Sequence, residues 1–286
     1  QLALAGLRQA IALNPNNRYR YEMLAGYGLA RLKGAAAGSA DPIALEGLRA
    51  MQQAVELDPG FLPEALRRVQ RHTQDPALLE MVIPAHAPDM LFAARLFEDE
   101  ERWQEAKGLY GRAIELAADD AKPLYYREYA AALTRHGEDA ETRDALQVVL
   151  RFDPQNLDLK LALAQSLARL RQTGEALAMY QEALELAEKS ADALRARPRP
   201  RDSGRPPRIA AFPSREERVL AAMKQRFATA HQTTDSLTKA LAGMASFYHA
   251  QGRYNLAVPL WEKALQRTPD DDAVAFGLAK SYDAVG

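Results

Sequence analysis

The sequence predicts an all-α fold built from repeated pairs of helices. Helix-forming residues dominate the 286-residue chain, and the runs of alternating Val, Ile and Thr that would indicate strands are absent. Apolar residues make up 48% of the chain, which is enough to bury a large core. Near copies of one ending recur, as AIALNP at 10–15, AVELDP at 54–59 and VLRFDP at 149–154, so the pattern is repetitive.

The clearest unit runs over 238–271 and has the pattern of two helices joined by a short turn. Apolar residues at three-and-four spacing predict a first helix from about Ser236 to Ala250. Gly252 supplies the break, because glycine adopts the backbone angles that a helix end needs. The second helix starts near Tyr254, and Pro269 closes it.

This unit resembles the 34-residue tetratricopeptide repeat (TPR). Its residues at the signature positions are Leu241, Met244, Ala245, Tyr248, Ala257, Trp261, Ala264 and Pro269. The resemblance implies an α-solenoid, in which helix pairs stack into a right-handed superhelix. It also implies a concave groove, formed by the first helices, that holds a peptide or a helix.

The remaining segments are better or worse copies of this unit. We predict a TPR array over 1–196, an Arg- and Pro-rich linker over 197–213, and a last region over 214–286. The array divides into a partial repeat at 1–15 and repeats at about 18–59, 62–86, 87–120, 123–154 and 157–190. The last region divides into an extra helix that begins at Ser214, the repeat at 238–271 and a partial repeat at 272–286. Both ends of the chain therefore have the pattern of half a repeat.

Three segments depart from the regular length. About ten extra residues precede Asp41 and Pro42, which are typical of the N-cap and first turn of a helix, here at 42–57. The segment 62–86 is interpreted as a compressed repeat, with a loop-rich spacer as the alternative. The second helix of the repeat at 157–190 lacks a closing proline and is predicted to continue to about Ala196.

The segment RARPRPRDSGRPPR at 195–208 is the strongest charge feature of the chain. Proline removes backbone donors and like charges repel one another, so a loop or disordered linker is predicted. A solvated linker is one interpretation, and a segment that meets phosphates or an anionic polysaccharide is the other. No aromatic residue interleaves with the arginines, which disfavours base stacking.

Sequence motifs of catalysis and metal binding are missing. The chain has no Cys, no Gly-rich phosphate-binding motif, no GxSxG and no HExxH, and its five histidines are scattered. The carboxylate run at 98–101 lacks the EF-hand spacing and is interpreted as a solvated turn. We therefore expect no enzyme activity, no cofactor and no metal site. No apolar stretch is long enough to span a bilayer.

The resemblance to TPR proteins also implies which residues face the groove. They are Arg95, Arg127, Arg135, Gln165, Arg169, Lys239, Ser246 and His249. This set is mildly basic and favours an acidic or carboxylate-bearing ligand, with ordinary solubilising charges as the alternative. The Lys and Asn with which some TPR domains grip the C-terminal carboxylate of heat-shock chaperones are not matched. The corresponding pairs are Leu91/Arg95, Arg127/Ala131, Leu161/Gln165 and Ala242/Ser246.

These observations predict a non-catalytic scaffold that binds a protein or peptide in the groove. A second hypothesis follows from the segments 10–21, 54–61 and 83–110, which resemble the TPR tails of bacterial O-antigen ligase or polymerase-type membrane proteins. Such a tail would be periplasmic and would organise polysaccharide assembly. A net charge of −1 disfavours nucleic acid as a partner. No feature of the sequence indicates an oligomeric state.

Overall fold

The structure is a computed structural model that describes residues 2–32, 38, 40–196 and 236–285. Every regular element within these residues is a helix, so the predicted all-α fold of repeated helix pairs is confirmed. The chain forms two compact units, Gln1–Ala118 and Asp119–Gly286. The predicted linker at 197–213 and the extra helix that begins at Ser214 lie outside the described residues.

The first unit is built from short helices. In chain order they are α1 (Leu2–Leu13), α2 (Arg18–Leu29), α3 (Pro42–Leu57), α4 (Leu62–Gln70), α5 (Pro76–Glu80), α6 (Ala87–Asp99) and α7 (Trp103–Leu116). A 3₁₀ turn at Pro59–Phe61 leads into α4. The segment 62–86, predicted to be a compressed repeat, contains α4 and the five-residue α5.

The second unit has longer and more regular helix pairs. Its helices are α8 (Lys122–Arg135), α9 (Asp139–Phe152), α10 (Leu157–Arg169), α11 (Thr173–Ala196), α12 (Ser236–Ala250), α13 (Tyr254–Arg267) and α14 (Asp272–Asp283). The predicted bounds of α12 agree with the structure, and α11 continues to Ala196 as predicted. Each helix packs on its partner in the pair, α12 also contacts α10 and α11, and α14 packs on α13.

Short polar side chains cap several helices at their N-termini. The capping residues are Asn17, Asp41, Asp75, Asn156 and Asp271. Each accepts a hydrogen bond from a backbone N–H of the first turn, which would otherwise have no partner. Asp41 accepts from the Ile43 N–H at 2.8 Å, and Pro42 is the first helical residue. The helix start predicted at this point is therefore confirmed.

Four helix pairs, α6–α7, α8–α9, α10–α11 and α12–α13, share one kind of turn. Its middle residue has a positive φ, which closes a hydrogen bond from the next backbone N–H to a carbonyl five residues earlier. Glycine occupies this position at Gly137 (φ 72°) and at Gly252 (φ 71°). Glu101 (φ 62°) and Arg171 (φ 60°) occupy it in the other two turns. The left-handed conformation costs a non-glycine residue about 1–2 kcal/mol.

Small residues allow the paired helices to approach closely. Ala106, Ala176 and Ala257 are completely buried, as the repeat signature predicts. A close contact between two backbones joins α2 to α3, where a Cβ added to Gly28 would lie 2.6 Å from the Cα of Gly47. Only a pair of glycines allows the two backbones to meet in this way.

Candidate functional site

A cavity of about 540 Å³ lies among the first helices of the second unit. Side chains of α10, α12 and the start of α14 line it, and Trp261 of α13 forms part of its wall. Three of the predicted groove residues, Gln165, Lys239 and Ser246, line this cavity. Its size falls within the range of about 300–1,000 Å³ that is typical of ligand pockets.

Small side chains keep the cavity open. Ala162, Ala242 and Ala273 line it and are partly or fully exposed. Gly243 also lines it, and a Cβ added there would lie 3.1 Å from Cε1 of Tyr180 on α11. The close approach of α12 to α11 thus depends on a residue without a side chain. The result is a mainly apolar surface with polar groups beside it, which is the usual composition of a binding pocket.

The charged side chains that line the cavity are Asp158, Lys239 and Asp271. The Lys239 Nζ lies 3.9 Å from Oδ1 of Asp158. Asp271 caps α14, because its Oδ1 accepts the backbone N–H groups of Ala273 and Val274 at 3.0 and 3.2 Å. Two carboxylates therefore face one amine in the cavity.

A second cavity of about 280 Å³ lies beside the first. Its lining includes the predicted groove residue His249, together with Phe276 and Lys280 of α14. Ser246 and Trp261 line both cavities. Trp261 is therefore a shared wall.

A buried serine and an aromatic ring hold the side chain of His249. Ser281 is completely buried, and its hydroxyl donates to the carbonyl oxygen of Gly277 at 2.9 Å. Ser281 Oγ also makes a hydrogen bond of 2.9 Å with Nδ1 of His249. The imidazole also contacts the Tyr254 ring edge-on, with centroids 5.1 Å apart.

Arg127 lies on α8 and is half-buried. Burial lowers the pKa of Arg127, while the carboxylates of Asp153 and Asp158 act in the opposite direction. The cation thus lies among carboxylates of its own unit.

The other predicted groove residues lie away from the two cavities. Arg169 on α10 pairs with Asp139 at 3.1 Å, and Arg135 at the end of α8 is exposed. Arg95 lies on α6 in the first unit and is half-buried. The structure therefore brings together Gln165, Lys239, Ser246 and His249 of the predicted set and leaves the other four outside both linings.

The residues that the sequence reasoning missed are Asp158, Gly243 and Asp271. Asp158 occupies the second position of its repeat, as Lys239 does in the next one, and repeat position is the signal that could have identified it. Asp271 lies two residues after Pro269, at the start of a helical pattern, which predicts a cap but not a cavity wall. No sequence signal could have identified Gly243, because a glycine within a helical pattern does not indicate which residues it faces.

Neither a cluster of potential metal ligands nor a membrane-spanning helix is present in the described parts of the chain. Residues 2–32, 38, 40–196 and 236–285 contain no cluster of three His, Asp or Glu side chains able to hold a metal ion. In the same ranges, no helix combines the length and the apolar content required to cross a lipid bilayer.

Two segments of the second unit match family models of the tetratricopeptide repeat, at 157–190 and at 240–274. The chain therefore contains two tetratricopeptide repeats. The matched segments contain α10 with most of α11, and most of α12 with α13. The larger cavity is therefore formed by the first helices of two recognised TPR units and by the start of α14.

The chain is also similar to several solved structures. It has 14% identity and a TM-score of 0.43 to YrrB, a TPR protein with an unusual peptide-binding site, over 94% of this chain and 96% of that one. MamA has 15% identity and a TM-score of 0.36, over 66% and 90% of the two chains. Yeast Tom70 has 14% identity and a TM-score of 0.30, over 98% and 58%. No curated protein matches the sequence. The O-antigen ligase hypothesis is not tested by these comparisons and stays a prediction.

Proposed function

We propose that this TPR chain is a non-catalytic interaction scaffold, and that a peptide segment of a partner protein binds in the cavity among α10, α12 and α14. The cavity itself is the observation that carries the proposal. It is large enough for one or two side chains of a peptide, it lies between successive first helices, and its lining is mainly small and apolar. The proposal of a scaffold without catalysis is further supported by the lack of catalytic motifs in the sequence.

The physical basis for binding is burial of apolar surface. A peptide side chain placed against Ala162, Ala242 and Gly243 would remove apolar area from water on both partners, which contributes about 25 cal/mol per Å² before the costs of association. Gln165 and Ser246 carry hydrogen-bonding groups on α10 and α12 at the same cavity. They are placed to bond the backbone of an extended or helical segment.

The sequence-based expectation of an acidic ligand rests on cations that have carboxylate neighbours in this unit. Arg169 pairs with Asp139, and Lys239 lies near Asp158. A ligand carboxylate would therefore compete with carboxylates of the chain itself for these groups. The preference for an acidic ligand stays a prediction, and the groups that line the cavity do not favour it.

The test is selection of a displayed library of random dodecapeptides on the purified chain, followed by affinity measurement of the recovered peptides by fluorescence anisotropy. The matched variants are Ala242→Phe, which adds a ring inside the cavity, and Ala250→Phe, which adds the same ring at an exposed position of the same helix. We expect Ala242→Phe to lower the affinity at least about tenfold and Ala250→Phe to leave it unchanged. Recovered peptides that bind both variants equally well would overturn the proposal.

A further inference from the structure

The start of α14 carries a run of carboxylates beside the cavity. Asp270, Asp271 and Asp272 are consecutive, Asp271 lines the cavity, and the two flanking residues are exposed. In the described parts of the chain no ion pair involves any of the three. Capping uses only Oδ1 of Asp271, so its other carboxylate oxygen is not used by the cap.

The amine that lines the cavity does not balance these charges. Lys239 Nζ lies 3.9 Å from Asp158 Oδ1, so its charge is already shared with a carboxylate of the lining. Among the described residues, the cavity and its edge thus carry Asp158, Asp271 and the two flanking aspartates, with Lys239 as the cation of the lining. Clefts lined mainly by one sign of charge attract ligands of the opposite sign.

The wall of the cavity holds a polar group that lacks a partner. Trp261 is only 6% exposed, and its indole N–H is buried with no hydrogen-bond acceptor among the residues that the structure describes. A buried donor without a partner costs about 1–3 kcal/mol, so a ligand that turns the indole and offers its N–H an acceptor would relieve this cost. The carbonyl oxygen of a peptide backbone is such an acceptor.

We infer that the cavity takes a peptide segment in which a Lys or Arg lies next to an apolar residue. The basic group pairs with the carboxylates of 270–272, and the apolar side chain packs on Ala162, Ala242 and Gly243. This inference rests on the proposed function and adds the chemical class of the ligand. It gives the ligand the charge opposite to that expected from the sequence.

The experiment uses the peptides recovered from the same random library. We expect them to contain a basic residue beside Leu, Ile, Val, Met or Phe, and we expect replacement of that basic residue by norleucine to weaken binding about tenfold. On the protein side, Asp271→Asn keeps a good N-cap while removing the charge. The triple variant Asp270→Asn/Asp271→Asn/Asp272→Asn should weaken the original peptide about tenfold and leave the norleucine peptide unaffected. The matched control is Asp283→Asn, at the exposed far end of the same helix.

Two outcomes would overturn the inference. One is a set of recovered peptides without basic residues, or enriched in Asp and Glu. The other is an unchanged affinity of the basic peptides for the triple variant when its thermal unfolding matches that of the parent chain. In both cases loss of binding in Ala242→Phe would still support the proposed function, so the two ideas fail separately.

Discussion

Glycine allows close helix packing in both units, but what it faces differs between them. In the first unit Gly28 and Gly47 face each other, and a Cβ on Gly47 would lie 2.7 Å from the Cα of Gly28. In the second unit Gly277 of α14 faces the six-membered part of the Trp261 ring, and a Cβ there would lie 2.4 Å from Cζ2. One contact joins two backbones, and the other joins a backbone to a side chain.

These two contacts differ in how well they should tolerate substitution of the glycine. A backbone that is fixed by its own helical hydrogen bonds moves only if the whole helix moves, so the contact between α2 and α3 cannot relax locally. A ring can turn about two side-chain bonds, although a buried ring moves at the expense of its other contacts. The first unit should therefore tolerate added volume less well than the second.

The largest effect is expected for Gly47→Ala. The new Cβ would lie 2.7 Å from Gly28 Cα and 3.2 Å from the carbonyl oxygen of Ala25, so α2 and α3 must separate. We expect the free energy of unfolding of the first unit to fall by about 3 kcal/mol. Urea unfolding measures it, followed by Trp103 fluorescence in a Trp261→Phe background, because Trp103 is then the tryptophan that reports on this unit.

Gly26→Ala is the matched control for this change. Gly26 lies on α2, the helix that carries Gly28, and a Cβ there would meet nothing within 4 Å. Alanine is the better helix former, so Gly26→Ala should stabilise by about 0.5–1 kcal/mol. Equal effects of the two substitutions would contradict the backbone contact.

A smaller loss is expected for Gly277→Ala. The Trp261 ring must turn away from the new methyl group, which should cost about 2 kcal/mol. Unfolding is followed by the fluorescence of Trp261 in a Trp103→Phe background, and a change of the folded-state spectrum is expected as well. A loss as large as that of Gly47→Ala would remove the distinction between the two kinds of contact.

The pH dependence of the second unit should reveal the buried ring that faces Gly243. Burial raises the pKa of Tyr180 to about 12, whereas an unfolded tyrosine ionises near 10. The folded state therefore holds the proton more tightly, and this contribution to stability is complete below about pH 10 and lost as the pH rises towards 12. Between about pH 9.5 and pH 11 the parent chain should lose about 1 kcal/mol more than Tyr180→Phe does.

Unfolding by urea at the two pH values checks the tyrosine prediction. Tyr19→Phe is the control, because that ring is 66% exposed and lies in the other unit. If Tyr180→Phe loses as much stability as the parent chain over this range, the buried ring is not what makes the second unit sensitive to alkali.

The smallest effects concern the turns with positive φ. Arg171→Gly and Glu101→Gly should stabilise by about 0.5–1 kcal/mol, since glycine adopts this conformation without steric strain. Gly137→Ala and Gly252→Ala should destabilise by a similar amount. Thermal unfolding of the four single variants compares the turns that have glycine at the positive-φ position with those that have Glu or Arg there. A destabilising effect of Arg171→Gly would show that its side chain contributes more than its backbone conformation costs.

The sequence predicted the helices well where the local signals agreed. Asp41 and Pro42 set the start of α3, and Gly252 set the turn after α12. It did not predict that Glu101 and Arg171 take the left-handed conformation, because neither residue type favours it and the turn that joins each helix pair requires it. Local sequence signals therefore predict an element correctly only where tertiary contacts do not override them.

The candidate site was less predictable than the helices. Repeat positions identified Gln165, Lys239 and Ser246, because the TPR register places them on first helices. They did not identify the partners of these residues, since Asp158 pairs with Lys239 across two helices that are about 80 residues apart in the chain. A list of groove residues thus predicted a positive surface, whereas the cavity contains carboxylates as well.

The wall shared by the two cavities has a thermodynamic consequence. Trp261 and Ser246 belong to both linings, so a molecule that turns the indole in one cavity alters the shape of the other. Thermodynamic linkage makes this effect mutual. If a group bound in one cavity changes the affinity of the other cavity by some factor, a group bound in the other cavity changes the affinity of the first by the same factor. Two neighbouring side chains of one peptide would then bind in the two cavities cooperatively rather than independently.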